Sequence, residues 1–148
     1  MNKDIKSFLY LLKSSLYTIE ENKTINEDID WKKIYRISEI HKTIPMIYEA
    51  ANKTNAFENI DDNLKQYWRK TTISMTINQV IRSDKFLKIY KEFNEAHIDV
   101  LVFKGIICRQ LYPNPDQRIS SDEDILVMIL CLLIYFKLVW SIWDLMRV

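Results

Sequence analysis

The chain has 148 residues, a formal net charge of +1 and a single glycine. One glycine excludes the Gly-rich dinucleotide fingerprint and the P-loop, because each of these motifs needs more than one. The near-neutral charge argues against a protein that coats DNA or an anionic membrane, so we expect no strong nucleic-acid patch. Two cysteines and two histidines without paired spacing argue against a zinc site. Cysteines without a disulfide pattern fit a cytoplasmic protein.

The first 96 residues are predicted to form a helical N-terminal region. Apolar residues at three- and four-residue steps predict an amphipathic helix between Ile5 and Leu16. Asp30 is a candidate N-cap for a second helix, and Pro45 fits the first turn of a short third helix. The longest helix is predicted from about residue 61 to residue 96, with an inward-facing apolar stripe formed by Ile73, Ile77, Val80 and Leu87.

The pattern changes after this helix. The run Ile98–Phe103 is short, apolar and rich in β-branched residues, which predicts a buried strand. Lys104 and Gly105 end the run, and a helix of about two turns is expected over Ile106–Tyr112. A polar turn then leads to a second candidate strand, Asp122–Val127. These elements predict that a helical region is followed by the beginning of an α/β unit.

Asp122 and Asp124 are the most informative pair of side chains. On a strand, residues two apart point to the same face, so the two carboxylates are expected to lie close together. Adjacent carboxylates repel each other unless a cation lies between them, and Mg²⁺ prefers oxygen ligands of this kind. The alternative is a solvated acidic turn before a hydrophobic strand, because D-x-D sequences also occur by chance.

Lys104 and Gly105 stand where the first strand is predicted to give way to a helix. Unpaired N–H groups at a helix start attract anions, and a glycine there allows a phosphate to approach the backbone closely. Lys104 could add a positive charge for a triphosphate. The alternative is that Gly105 only makes the turn.

Taken together, residues 100–127 resemble a poorly characterised bacterial nucleotidyltransferase family of the DNA polymerase β superfamily. That family has the pattern L-K-G…L-Y-P-x-P…R-x-x-x-D-x-D-L-L-V. The preceding helical segment, from about residue 30, is also similar to this family, although less specifically. The matching residues in this chain are Lys104, Gly105, Leu111, Tyr112, Pro113, Pro115, Arg118, Asp122, Asp124, Ile125, Leu126 and Val127.

The resemblance implies an α+β fold, in which a helical region (1–96) precedes an incomplete nucleotidyltransferase-type mixed sheet with flanking helices (97–127). It implies Mg²⁺-dependent transfer of a nucleotidyl group from an NTP to the hydroxyl of an unidentified acceptor. Asp122 and Asp124 would bind the metal and serve as the catalytic carboxylates. The residues expected on the nucleotide side are Lys104, Gly105, Arg118 and Ser121.

Two features depart from the family pattern. The superfamily normally supplies a third carboxylate from a later strand, but the only acidic residue after Asp124 is Asp144. Glu123 also stands where a buried aliphatic side chain would be expected. Two functions therefore remain open: an enzyme-derived nucleotidyltransferase in truncated form, or a non-catalytic nucleotide-binding or regulatory protein.

The last 21 residues, 128–148, form an apolar tail without a turn signal before it. Our preferred explanation is an altered or truncated C-terminus, such as a shifted reading frame, and a buried continuation of the fold is a second. Counted from Ile125 to about residue 145, the run also approaches the ~20 residues that cross a bilayer, despite Lys137. A membrane-tethered helical protein with an incidental D-x-D is thus the third and weakest functional alternative.

Overall fold

The structure is a computed structural model, and it describes residues 3–17, 29–120 and 122–127. Helices occupy the first part of this chain and a small sheet the last part, which confirms the predicted α+β fold with a helical N-terminus. The elements in chain order are α1 (Lys3–Leu16), α2 (Trp31–Ile40), α3 (Ile44–Asn52), a 3-10 helix (Asn55–Phe57), α4 (Asp62–Glu95), β1 (Val100–Phe103), α5 (Gly105–Arg109), a second 3-10 helix (Pro115–Gln117) and β2 (Asp124–Val127).

Local signals in the sequence account for where the helices begin. The side chain of Asp30 accepts a hydrogen bond from the Lys33 amide at 3.1 Å, and that of Asp61 accepts one from the Leu64 amide at 2.9 Å. Each aspartate thus satisfies an amide of the first turn that has no partner within the helix. Pro45 lies in the first turn of α3, where its missing N–H costs nothing. The predicted N-cap at Asp30 and the predicted position of Pro45 are confirmed.

The main core lies between α1, α2, α3 and the beginning of α4. At its centre Trp68 is fully buried, and Trp31, Tyr35 and Phe57 contact it edge to face. Edge-to-face aromatic pairs add about 0.5–1.5 kcal/mol each beyond the free energy of burying their area. These ring contacts therefore attach the first turns of α4 to α2 and to the 3-10 helix that follows α3.

The rest of α4 extends beyond that core, and here the prediction of an inward-facing apolar stripe was wrong. Ile73, Ile77, Val80 and Leu87 are 45–53% exposed, whereas Gln79 is buried. Periodicity shows which residues share a face of a helix, but not how far the partner of that face extends along it. Along α4, α3 packs near the start of the helix. The strand β1 and the second 3-10 helix pack against α4 farther along.

The two described strands pair in an antiparallel manner, with Phe103 opposite Asp124 and Val100 opposite Val127. Both strands expose apolar side chains, since Leu101 is 54% and Leu126 53% exposed, so the predicted burial of the first strand is wrong. β2 begins only at Asp124, and α5 begins at Gly105 and ends at Arg109, which is shorter than predicted. The register brings the end of β1 next to the start of β2.

The hypotheses about the tail 128–148 lie outside the described residues. Within residues 3–17, 29–120 and 122–127, no helix combines the length and the apolar character that a bilayer crossing requires. The 34-residue α4 is long enough, but its charged and polar residues make it too polar.

Candidate functional site

The antiparallel register of β1 and β2 places Lys104, predicted to contact phosphate, beside Asp124, predicted to bind the metal. Because Phe103 lies opposite Asp124, the residue after Phe103 emerges at the start of β2. The Lys104 ammonium lies 3.5 Å from the Asp124 carboxylate, with side chains 72% and 36% exposed. An ion pair this exposed contributes little stability, so the lysine is free to exchange one anionic partner for another.

Asp122 lies just before β2 and is exposed to solvent. Asp122 and Asp124 therefore present two hard oxygen ligands at one end of the sheet, a donor set that suits Mg²⁺ when substrate phosphates and water complete its coordination. The part of the chain described by the structure contains no group of three or more His, Cys, Asp or Glu side chains that could hold a metal. Asp144, the only acidic residue after Asp124, lies outside the described residues.

The backbone at the end of β1 is strained. Lys104 has φ 57° and ψ −133°, a combination that residues with a Cβ rarely adopt, and Gly105 follows with φ 22°. A residue held in such a region costs about 1–3 kcal/mol, and strain of this kind concentrates at functional sites. The strained turn allows the chain to leave β1 and enter α5 directly beside β2.

The side chain of Glu123 occupies the space beside Gly105, at a position where we expected an aliphatic residue. Its carboxylate accepts hydrogen bonds from the Ile106 amide and, at 2.7 Å, from the Arg109 guanidinium. The Ile106 amide belongs to the first turn of α5 and lacks a helical partner, so Glu123 caps this helix from a neighbouring segment. The pair is well shielded, because the Arg109 side chain is 2% and the Glu123 side chain 14% exposed.

Gly105 is therefore required by the fold itself. A Cβ at this position would lie 2.7 Å from Cδ of Glu123 and 3.1 Å from the Asp122 carbonyl oxygen, which leaves no room for a side chain. The space that we expected a phosphate to occupy holds a carboxylate of the same chain. The phosphate-binding role of Gly105 stays a prediction, since a phosphate can approach it only where Glu123 leaves room.

One turn of α4 holds the segment that leads into the two aspartates. Gln79 Oε1 accepts from the Ser120 amide at 2.9 Å, and Arg82 donates to the Ser120 carbonyl at 3.1 Å. Arg109 also donates to the Ser83 hydroxyl at 3.0 Å. We call Gln79, Arg82 and Ser83 the α4 anchor; their spacing of three and four residues places them on one face of the helix. The sequence prediction missed the anchor, because these polar residues lie on a different face of α4 from the predicted apolar stripe.

Comparison with known families decides how this site is classified. A sequence model of a family described as "Uncharacterised nucleotidyltransferase" matches residues 27–129, which is more than half of the chain. The chain belongs to this nucleotidyltransferase family. No curated protein and no solved structure matched it. The match spans β1, α5 and β2, so all the described site residues fall within the family region.

The remaining predicted site residues of this chain are Arg118 and Ser121. The Arg118 guanidinium lies 5.6 Å from the centre of the Tyr112 ring, a cation–π distance, and both residues belong to the family pattern. Ser121 falls outside the described residues. The nucleotide-binding roles of both residues stay predictions.

The Pro-rich part of the family pattern is attached to the helical region. On α3, the Glu49 carboxylate accepts a hydrogen bond from the Asn114 amide group at 3.0 Å and another from Gln117. The second 3-10 helix, which contains Gln117, also contacts α4. The helical region of this chain thus supports the loop that connects α5 with the aspartates.

Proposed function

We propose that this chain binds an NTP together with Mg²⁺ and transfers the nucleotidyl group to an acceptor hydroxyl. The main support for this proposal is the register of β1 and β2, because it brings Lys104 to within 3.5 Å of Asp124. Asp122 is exposed at the same end of the sheet. A lysine that pairs with Asp124 can bind a triphosphate, while Asp122 and Asp124 hold its metal. Membership of a nucleotidyltransferase family supports the same reaction class.

Asp122 and Asp124 are the residues that would hold Mg²⁺. When bound, the ion supplies positive charge that stabilises the phosphate oxygens during in-line displacement. Lys104 would turn from Asp124 towards the triphosphate, which its exposed side chain allows. Arg118, Ser121 and the Gly105 backbone are proposed as further contacts of the nucleotide. A cytoplasmic location, expected from the unpaired cysteines, belongs to the same proposal.

The proposed reaction is a substitution at the α-phosphorus of the NTP. The acceptor oxygen forms a bond to this phosphorus, the bond to the β-phosphate oxygen breaks, and pyrophosphate leaves. The acceptor proton passes to solvent or to a base. Such displacement depends mainly on positioning and on electrostatic stabilisation, so the chain's own residues act by holding the reactants in line.

A second candidate is a non-catalytic nucleotide-binding or regulatory protein. The observation that favours it is the number of candidate ligands, because residues 3–17, 29–120 and 122–127 contain no group of three or more His, Cys, Asp or Glu side chains that could hold a metal. Two carboxylates are sufficient to bind a metal–nucleotide complex. The third carboxylate of the superfamily often activates the acceptor hydroxyl, so without it binding can persist while transfer is slow.

Nucleotide binding tests what both candidates share. ATP, GTP, CTP and UTP are titrated separately into the full chain by calorimetry, with Mg²⁺ and then with EDTA. We expect Mg²⁺-dependent binding of at least one NTP, lost in Asp122→Asn/Asp124→Asn. Asp84→Asn is the matched control, because Asp84 is an exposed aspartate on α4 that pairs only with Lys88 in the described part of the chain. Binding that survives the double substitution contradicts the proposal.

Pyrophosphate release then separates the two candidates. The chain is incubated with the NTP that binds, Mg²⁺, and a peptide, an RNA or an aminoglycoside as the hydroxyl-bearing acceptor. Pyrophosphate formed by the wild-type chain and not by Asp122→Asn/Asp124→Asn supports the enzyme. Tight NTP binding with no pyrophosphate release in the presence of each of these acceptors supports the non-catalytic nucleotide-binding protein.

A further inference from the structure

Glu123, the residue between the two aspartates, forms a shielded ion pair with Arg109. Their side chains are 14% and 2% exposed, and the Arg109 guanidinium lies 2.7 Å from the Glu123 carboxylate. Glu123 stands between Asp122 and Asp124 in the sequence, so a contact that fixes Glu123 also restricts the backbone on both sides of it. The pair uses residues to which the resemblance assigns no role.

The contacts of this pair continue into the longest helix. Arg109 uses one terminal nitrogen for Glu123 and the other for Ser83 of the α4 anchor, at 2.7 and 3.0 Å. The same turn of α4 binds both backbone groups of Ser120, through Gln79 and Arg82. The chain is therefore attached to α4 just before the aspartates, at Ser120, and between them, at Glu123.

A gain in the free energy of unfolding does not by itself explain why the Arg109–Glu123 pair is buried. Taking two charges out of water costs about as much as their attraction returns, so an apolar pair of similar volume is often equally stable. What an ion pair with a two-pronged guanidinium adds is a fixed direction, because its hydrogen bonds form in only one geometry. The fixed element here carries the predicted metal ligands.

We propose that Arg109 and Glu123 are positioning residues for the metal site. They hold the segment around Asp122 and Asp124 against α4 and α5, so that both carboxylates are in place before a cation binds. This inference rests on the proposed function, because it assumes that Asp122 and Asp124 bind a metal. Groups behind metal ligands typically change metal affinity by about 10–100-fold when they are removed.

Two explanations of the role of Arg109, its charge alone or its positioning of the metal ligands, predict opposite effects of its removal on cation affinity. Removal of a positive charge near two carboxylates strengthens cation binding if only the net charge matters. Arg109→Met should weaken cation binding if the guanidinium positions the ligands. Glu123→Gln weakens binding under both explanations and therefore does not discriminate, which makes Arg109 the residue to change.

The test uses the full chain with Mn²⁺ alone, and free Mn²⁺ is measured by electron paramagnetic resonance. Because Arg109→Met can unfold the chain by leaving Glu123 unpaired, Arg109→Lys and Ser83→Ala are measured as well, and neither changes the net charge. We expect Arg109→Met to raise the Mn²⁺ dissociation constant about tenfold and the other two variants to raise it severalfold. Lys88→Met is the matched control, since it removes an exposed cation from α4 and should leave the constant unchanged.

Each outcome has a defined meaning when circular dichroism shows that the variants are folded. Weaker Mn²⁺ binding in Arg109→Lys and Ser83→Ala, with or without a folded Arg109→Met, supports the positioning role. Wild-type affinity in these two variants, or tighter binding in Arg109→Met, overturns this inference while the proposed function stands. If the wild-type chain shows no Mn²⁺ binding that Asp122→Asn/Asp124→Asn abolishes, the proposed function fails and the inference fails with it.

Discussion

Replacement of Gly105 with alanine should force the Glu123 carboxylate away from Arg109. The new Cβ would lie 2.7 Å from Cδ of Glu123 and closer still to its Oε2 atom. A flexible side chain could normally move aside at little cost, but both oxygens of this carboxylate accept hydrogen bonds, from the Ile106 amide and from Arg109. The collision must therefore break interactions that the fold uses.

The expected cost has two parts. Alanine at the φ of +22° found at Gly105 costs about 1 kcal/mol relative to glycine. Loss of the partner of a buried charge costs about 3–5 kcal/mol, and Arg109 is 2% exposed. Because Glu123 retains some solvent access, the ion-pair share falls to about 2–3 kcal/mol, so we expect Gly105→Ala to lower the free energy of unfolding by about 3–4 kcal/mol in total.

The backbone cost and the ion-pair cost are separated by introducing Gly105→Ala into a chain that lacks the ion pair. In Glu123→Ala/Arg109→Met the carboxylate and the buried cation are both absent, so Gly105→Ala should cost only the backbone share, about 1 kcal/mol. Urea unfolding, followed by tryptophan fluorescence, gives the four free energies of this cycle. Equal costs of Gly105→Ala in the two backgrounds, to within about 0.5 kcal/mol, would refute the explanation that Gly105 makes room for Glu123.

Three further predictions concern the strained turn, the core and the contact between α1 and α2. Lys104→Gly should relieve backbone strain and raise the free energy of unfolding by about 1 kcal/mol in urea titrations, yet weaken NTP binding in calorimetry, because the ammonium is lost. Trp68→Ala should cost about 3–5 kcal/mol in the same titrations, since Trp68 is fully buried, whereas a cost below ~1 kcal/mol would contradict its central place in the core. The hydrogen bond from Lys33 lowers the pKa of Asp4. Its stabilising contribution is therefore present above about pH 4, the ordinary pKa of an aspartate, and is lost as the pH falls through the lowered value. Thermal melts of Asp4→Asn and the wild-type chain should thus differ at pH 7 and converge as the pH falls below the lowered value.

Features that depend on neighbouring residues in the sequence could be predicted well. Asp30 caps the helix that begins at Trp31, and Pro45 lies in the first turn of α3, because capping and proline geometry act within one turn. The order of β1, the Lys104–Gly105 turn and β2 also followed from local composition. The contact between Lys104 and Asp124 depends in addition on the register of the two strands, which local composition does not give.

Features that depend on distant residues could not be predicted in this way. The pairing of Glu123 with Arg109 joins α5 to the start of β2, and only the register of the sheet decides that these side chains meet. The α4 anchor was missed for the same reason, since Gln79 is buried only because Ser120 passes beside it. The predictions for Ser121 and for the tail 128–148 lie outside the described residues and stay predictions.

The assignment of Asp122 and Asp124 as metal ligands is tested by the Mg²⁺-dependent dissociation constant of an NTP, measured for the wild-type chain and for Asp122→Asn/Asp124→Asn. We predict that the wild-type chain binds at least one of ATP, GTP, CTP and UTP in the presence of Mg²⁺. We also predict that EDTA and the double substitution each abolish that binding, while Asp84→Asn leaves it unchanged. NTP binding that is equally strong with EDTA, or in the doubly substituted chain, would contradict the assignment of Asp122 and Asp124 to the metal.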